Sequence, residues 1–501
     1  MDKNNGAIYD ARKLGKPKMI ILGVQVLILG LQHMFAMFGA TILVPILTGL
    51  DISTTLLMAG LGTLLFHCIT KFKVPAFLGS SFAFLGGYAA IKAFSPNDPN
   101  SMLPYACLGV ACAGLIYFIL AAVIKAVGIE KVMRFFPPVV TGPIIIAIGL
   151  GLAPSAVSNC TTNWFLAVVA LAVIVVFNIW GKGMAKIIPI ILGLLISYGT
   201  GLVLYFISQA NPDLIQNVPW LFSGGADANG VYQPIFDFTS LNTICDNISK
   251  GHIFGSEGLI GIPIHWDKTV FGGIDYSNGA LIASSIIAIV PIAFATMMEH
   301  IGDICAISST TGNNYIKDPG LHRTLVGDGL ATTLASLFGG PANTTYGENT
   351  GVLALTRVYD PRVIRIAAYF AVAVSFFPIV SVIIGSIPSC IIGGISFVLY
   401  GMISAIGVRN VVENKVDFTK SRNLIVAAVI LVCALGLSSD TVSFTIGSAA
   451  ITLSPLAVAS IAGIVLNAVF PGKDYKFDTE DVADAVNFEK EVKPKEKKQK
   501  K

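Results

Sequence analysis

Apolar residues in this chain gather into unbroken stretches of about 17–25 residues, the length that spans a bilayer core. Polar residues collect between them. Fourteen such stretches can be read, at 19–48, 54–70, 75–92, 104–127, 135–153, 163–180, 184–208, 279–302, 324–340, 344–357, 361–386, 388–406, 422–438 and 446–470. The third and tenth are weak in hydropathy. The pattern predicts an all-α polytopic membrane protein with fourteen spans. The longest polar connection, 209–278, divides them into seven plus seven. An odd number in each half makes the two copies inverted in topology, as recurs in secondary transporters. The expected organisation is a tail at 1–18, a first repeat at 19–208, an outer loop at 209–278, a second repeat at 279–470 and a basic tail at 471–501.

Composition and charge support this reading. The chain is 54% hydrophobic and 12% charged, against about a quarter charged in soluble domains. With a cytoplasmic N-terminus, 30 of the 33 Lys and Arg fall on the cytoplasmic side, leaving Lys92, Lys250 and Lys268 outside. The positive-inside rule predicts such a bias, and one missed span would scramble it. Both termini are therefore expected in the cytoplasm, with the chain in the cytoplasmic membrane. No cleavable signal peptide is expected, because the first apolar stretch is too long for one. The C-terminal run Lys493, Lys495, Lys497, Lys498, Lys500 and Lys501 reads as a solvated tail, with contact to anionic membrane lipid as the alternative. The net charge of +4 gives no reason to expect a nucleic acid. Cys160 and Cys245 fall in predicted outer loops, where they could pair, and no Cys–His spacing suggests a metal.

Two segments look broken: Val74–Gly87, with Pro75, Gly79, Ser80 and Ser81, and Gly340–Val352, with Pro341, Thr344, Thr345 and Gly347. They are the third span of each half. Irregular backbone at membrane depth is tolerated only where protein or a water-filled cavity covers it. Matched interrupted spans are the best sequence pointer to a transport site, with tight packing of small residues as the rival explanation. Glu299 and Asp303 share one face of the eighth span, and Glu348 lies in the broken tenth. Intramembrane carboxylates are expensive and usually functional. The alternative for Asp303, and for Glu299, is a solvated helix end. His33, in the first span, and Asp328, in the ninth, read as polar residues bonded between helices. His300 points away from Glu299, which argues against a metal there. These features describe a secondary transporter with a carboxylate-rich centre and leave its substrate open.

The run Glu348-Asn349-Thr350-Gly351-Val352-Leu353-Ala354-Leu355-Thr356-Arg357 resembles the signature of the nucleobase–ascorbate transporter (nucleobase:cation symporter-2) family. Leu31–Thr41, Pro75–Phe84, Asp318–Arg323 and Asn343–Glu348 resemble its bacterial uracil:proton symporter branch. The resemblance runs from about residue 19 to 470 and omits the tails and much of the outer loop, which looks expanded. It implies a core domain of spans 1–4 and 8–11 and a gate domain of spans 5–7 and 12–14. It also implies two short antiparallel strands, in broken spans 3 and 10, each followed by a half-helix. Two Glu side chains, matching Glu299 and Glu348, would bind the base. Backbone N–H groups near Phe82 and Gly347 would face its carbonyls, with Ser81 and Tyr346 beside them, and Tyr400 would line the gate side. Asn349 is expected to make a structural polar contact. The proton would be the coupling ion, handled by Glu299 and Asp303, with no further cofactor. A homodimer is a possible assembly.

One departure bears on substrate. Uracil relatives often carry His where this chain has Asp303, and purine relatives often carry Asp. A xanthine or other purine symporter is therefore the nearest rival. An anion transporter or channel of the same fold is the rival of another class, but it should carry a cation where this chain has Glu348. No nucleophile–base pair suggests an enzyme.

The charge distribution makes a direct prediction. A Cys placed at Asn229 should react with an impermeant thiol reagent applied from outside, and one at Gln499 should not, in a background without native cysteines. Reversed labelling would invert the topology.

Overall fold

The computed structural model describes residues 16–437, 443–446 and 449–472. It leaves undescribed the side chains of 16–25, Met184, Ile187, Glu348, Leu355 and both strands between 443 and 452. Most of the two expected tails, including the run from Lys493, lies outside the described residues.

Helices, or a strand followed by a helix, occupy all fourteen stretches read from the sequence. Many are apolar on all sides. Ile119, Val168, Val203 and Val432 point outward from their helices, as expected where the solvent is lipid. Proline opens several helices, among them Pro138–Cys160, Pro189–Ala210 and Pro361–Ser375. Its missing N–H costs nothing at a first turn. Asp51 caps Ile52–Ile69 by accepting from Thr54 N at 2.8 Å. Asn163 caps Trp164–Trp180 in the same way.

By length and composition, seven described helices can each cross a membrane, or eight when one bent pair is counted as a span. The expected number was fourteen. Six stretches fall short for local reasons: the sixth, ninth and thirteenth hold helices of only 17, 17 and 16 residues, Trp164–Trp180, Leu321–Leu337 and Ser421–Gly436. The third and tenth spans are a strand plus a short helix, Leu78–Ser80 with Leu85–Lys92 and Asn343–Thr345 with Gly347–Thr356. The eleventh is bent by 87° between Pro361–Ser375 and Pro378–Gly385. Phe377 there is extended, as a residue before proline tends to be. The fourteenth begins as a helix only at Pro455, because 443–446 and 449–452 pair as antiparallel strands. The pairing considered for Cys160 and Cys245 is not formed. Both thiols are free, Cys160 buried at a helix end and Cys245 exposed on Thr239–Ser249.

The largest helix contacts fall in two sets. In one, Ile52–Ile69 packs on Pro361–Ser375, and Leu103–Val127 packs on Leu321–Leu337 and on Gly279–Ile289. In the other, Pro138–Cys160 packs on Ser389–Glu413 and on Ser421–Gly436, while Trp164–Trp180 packs on Ser389–Glu413 and on Pro189–Ala210. Small residues permit the close approaches. A Cβ at Gly329 would lie 2.6 Å from Gly114 O and 2.5 Å from Tyr117 Cβ. Membrane helices associate largely through such contacts.

Gly329→Val should therefore destabilise the protein by about 1–3 kcal/mol, the usual cost of overpacking. Gly151→Ala, where the added methyl meets nothing within 4 Å, should not. Unfolding midpoints in detergent would separate the two.

Candidate functional site

The two broken segments meet as one antiparallel pair, in the register Leu78↔Thr345, Gly79↔Thr344 and Ser80↔Asn343. All six residues are buried. Two further backbone bonds extend the pairing, from Tyr346 N to Phe77 O at 3.1 Å and from Ser81 N to Ala342 O at 2.9 Å. Side chains of the flanking helices satisfy other backbone groups. Thr63 Oγ1 accepts from Leu78 N at 2.9 Å, and Thr332 Oγ1 donates to Asn343 O. Asn343 Nδ2 donates to Met58 O at 2.7 Å. A buried amide without a partner is costly, which explains the concentration of Thr and Asn here.

Each strand leads into a half-helix, so both helix N-termini lie beside the strand pair, and the first N–H groups of a helix have no acceptor within it. Ser81 and Phe82 lie in the first strand-to-helix turn, and Tyr346 and Gly347 in the second. Ser81 is buried and its Oγ has no hydrogen-bond partner in the described structure. The Phe82 ring meets Tyr400 edge to face, with centroids 6.0 Å apart. Tyr400 is fully buried, and its hydroxyl also has no partner in hydrogen-bonding geometry. Tyr346 serves the scaffold. Its hydroxyl donates to Ser80 O at 2.9 Å and accepts from Thr41 Oγ1 at 3.3 Å. Its ring covers Gly79, where a Cβ would lie 2.5 Å from two ring carbons.

Glu299 and Asp303 are both half-buried, one turn apart on Ala293–Thr311. Asp303 Oδ2 accepts from Thr345 Oγ1 at 2.8 Å. Its other oxygen would lie 3.5 Å from a Cβ at Gly347, at the start of the second half-helix. An anion is favoured at that end of a helix. Asp303 is thus joined to the strand pair. Glu348 is the second residue of Gly347–Thr356, and its side chain is outside the described residues.

Behind the strands lies a polar cluster that the sequence reading only partly anticipated. Asp328 Oδ2 accepts from Thr344 Oγ1 at 3.3 Å, and its Oδ1 lies 3.4 Å from His300 Nδ1. His300 Nδ1 is also 3.3 Å from Thr345 Oγ1, so Thr345 links His300 to Asp303. His300 and Asp328 are wholly buried. His300 was read only as pointing away from Glu299; adjacent hydroxyls in a buried strand, Thr344 and Thr345, were the available signal. The buried His33 ring has no hydrogen-bond partner in the described structure, nor has the buried Asn349 side chain. Among the described residues, no group of three or more His, Cys, Asp or Glu is placed to hold a metal.

The arrangement offers backbone donors, carboxylate acceptors and aromatic faces at one place. A flat ring carrying both N–H and C=O groups would find partners for each.

A family model described as "Permease family" matches residues 24–443. The chain is 38% identical over 456 residues to a uracil permease of Bacillus caldolyticus, covering 89% of this chain and 92% of that one. It is 37% identical over 463 residues to a uracil permease of Bacillus subtilis (strain 168), covering 90% and 93%. It is 35% identical over 452 residues to the putative pyrimidine permease RutG of Escherichia coli (strain K12), covering 90% of each. Among solved structures, SLC26A9 matches 91% of this chain and 66% of its own, with a TM-score of 0.50 and 11% identity, a likeness of fold alone.

The Gly79–Tyr346 contact sets a test of the scaffold. Gly79→Ala should push the Tyr346 ring aside, break its bond to Ser80 O and cost about 1–3 kcal/mol of stability. Tyr346→Phe should cost less, because the ring keeps its place. Thermal unfolding of both variants in detergent gives the comparison.

Proposed function

The chain belongs to this permease family, a family of transporters rather than enzymes, and as such is a multi-pass membrane protein; on that premise we propose that it takes up uracil with protons by alternating access. The observation that carries the reading is the single strand pair formed from the two broken segments, with two half-helix N-termini, Asp303 and the Phe82–Tyr400 ring contact at its ends. The substrate is carried over from the two Bacillus uracil permeases, which are 38% and 37% identical to this chain.

In this reading the chain crosses the cytoplasmic membrane fourteen times, with both termini inside. Spans 1–4 and 8–11 form a core that moves against a gate of spans 5–7 and 12–14. The helix packing supports the division, since both of its sets respect it. It also supports inverted repeats. The contact of spans 2 and 11 has its counterpart, seven spans on, in that of 9 and 4, and the contact of 6 and 12 has its counterpart in that of 13 and 5. The base sits between core and gate, where Phe82 of the core meets Tyr400 of the gate.

Uracil has two ring N–H donors and two carbonyl acceptors. Glu299 and Glu348 accept from the N–H groups, and charge-assisted bonds of this kind are the stronger ones. Backbone N–H groups around Phe82 and Gly347, with the Ser81 hydroxyl, donate to the carbonyls. Phe82 and Tyr400 cover the ring. Glu299 and Asp303 exchange the proton, and protonation lowers the cost of carrying their charge through the membrane. The contacts that join Asp303 through Thr345 to His300 and Asp328 support a proton-handling cluster beside the base-binding Glu299. A purine substrate is the second reading, favoured by Asp303 itself, and competition by xanthine and hypoxanthine decides between them.

Uptake of labelled uracil should collapse with a protonophore. Glu348→Gln puts a donor where an acceptor is needed. It should weaken binding roughly ten- to a hundredfold, equivalent to about 1–3 kcal/mol, at normal expression. Asp303→Asn should keep binding and counterflow yet lose accumulation against a gradient. Continued accumulation by Asp303→Asn would leave coupling to Glu299 alone.

A further inference from the structure

We infer that residues 253–266 and helix Pro378–Gly385 together form an apolar wedge seated in the lipid interface of the leaflet on the side of the 209–278 segment.

The argument begins with exposure. A connection between spans should be polar, yet Phe254 is 79% exposed, Ile262 77% and Trp266 64%. Helix Pro378–Gly385 adds Ile383 at its surface, and Phe376 and Phe377 are exposed at the bend before it. The part around Phe254 and Ile262 and the bend at Phe376–Pro378 belong to one surface. Gly261 N donates to Phe376 O at 2.9 Å, and a Cβ on Gly261 would lie 2.8 Å from Pro378 Cγ. Residue 254 is tied to the same place by its bridge to Ile260 and by Gly255 N donating to Ile260 O.

The orientation of the bent helix identifies the occupant. Pro361–Ser375 packs lengthwise on Ile52–Ile69, a helix long and apolar enough to cross a membrane, and Pro378–Gly385 departs from it by 87°. Membrane helices tilt on average by about 20° from the bilayer normal. The short helix therefore lies near the membrane plane, at the level where a span ends. Apolar and aromatic side chains on in-plane elements at that depth are the features of an interfacial anchor. The surface is also continuous with the lipid-facing side of the helix bundle, because Phe376 and Phe377 directly follow Pro361–Ser375. A contiguous apolar surface of this kind facing water would be an aggregation liability.

The segment is held firmly enough to act as a wedge. Thr54 Oγ1 donates to Pro263 O at 2.6 Å, and His265 Nε2 lies 3.5 Å from the Asp51 carboxylate. Ile264 packs against Leu57, Met58 and Ala335, and Trp266 stacks on Phe271, which meets Phe338 edge to face.

The test places nitroxide labels by Phe254→Cys and Ile262→Cys in the full chain with its eight native cysteines replaced, reconstituted in phosphatidylcholine–phosphatidylglycerol vesicles. Asn229→Cys serves as the aqueous reference. The wedge predicts a ratio of oxygen to nickel-chelate collisions severalfold higher at 254 and 262 than at 229. A ratio equal to that at 229 places the segment in water and overturns the proposal. Low collision with both reagents, or spin–spin broadening, places it against a soluble partner or a second copy and overturns it equally. A second measurement keeps every native cysteine. With Trp164, Trp180 and Trp220 changed to Phe, Trp266 emission should be quenched by lipids brominated near the headgroup. Quenching by aqueous iodide alone would count against the wedge.

Discussion

Everything in this protein depends on two three-residue strands finding each other in the middle of a bundle of helices. Backbone in a membrane must bond to itself, and a lone extended segment cannot. Leu78–Ser80 and Asn343–Thr345 solve the problem jointly, because neither is satisfied without the other. Helices Ile52–Ile69 and Leu321–Leu337 flank them, supplying Thr63 and Thr332 for backbone groups that the pairing leaves over. The halves of the chain are therefore joined at the point where the half-helix N-termini become available. Construction of the site and assembly of the fold are one event.

The polar cluster behind the strands follows from the same geometry. Strand residues alternate between two faces, so consecutive threonines look in different directions. Thr344 turns to Asp328 and Thr345 to Asp303 and His300. Buried carboxylates are tolerated when hydrogen-bonded, and here the bonds come from the strand that also organises the site. A change in the protonation of this cluster would be felt directly by the strand and by the half-helix that follows it.

The fold was legible where it rests on segment length. Long apolar stretches, the uneven distribution of Lys and Arg, and the paired interruptions by Pro and Gly are one-dimensional signals. The two broken spans could be found this way, and Asp303 could be singled out. Register could not be read: nothing in Leu-Gly-Ser or Asn-Thr-Thr says that Gly79 must face Thr344 and lie under the ring of Tyr346. The 87° bend was hidden because Phe376-Phe377-Pro378 continues an apolar run, and hydropathy does not register direction. The hairpin before Pro455 was hidden for the same reason, since Ser443–Ile446 and Ala449–Thr452 are as apolar as a helix end. The surroundings of His300 were hidden because its contacts come from Asp328 and Thr345, distant in sequence, and not from its helix neighbours.

The 209–278 segment is fastened at both ends to different parts of the bundle. Its first part is held by Asn163, which donates to Ser223 O at 2.8 Å, and by Phe236, whose ring meets Tyr198 and Tyr205. Its later part is held by Thr54 and by the backbone of Phe376. Between them, helix Thr239–Ser249 packs on Pro378–Gly385, and the joint before it is Asp237–Phe238–Thr239, where the Asp237 carboxylate accepts from Thr239 N and Oγ1. The segment thus ties one helix set to the other, a leash whose length between these fastenings bounds how far the two sets can part.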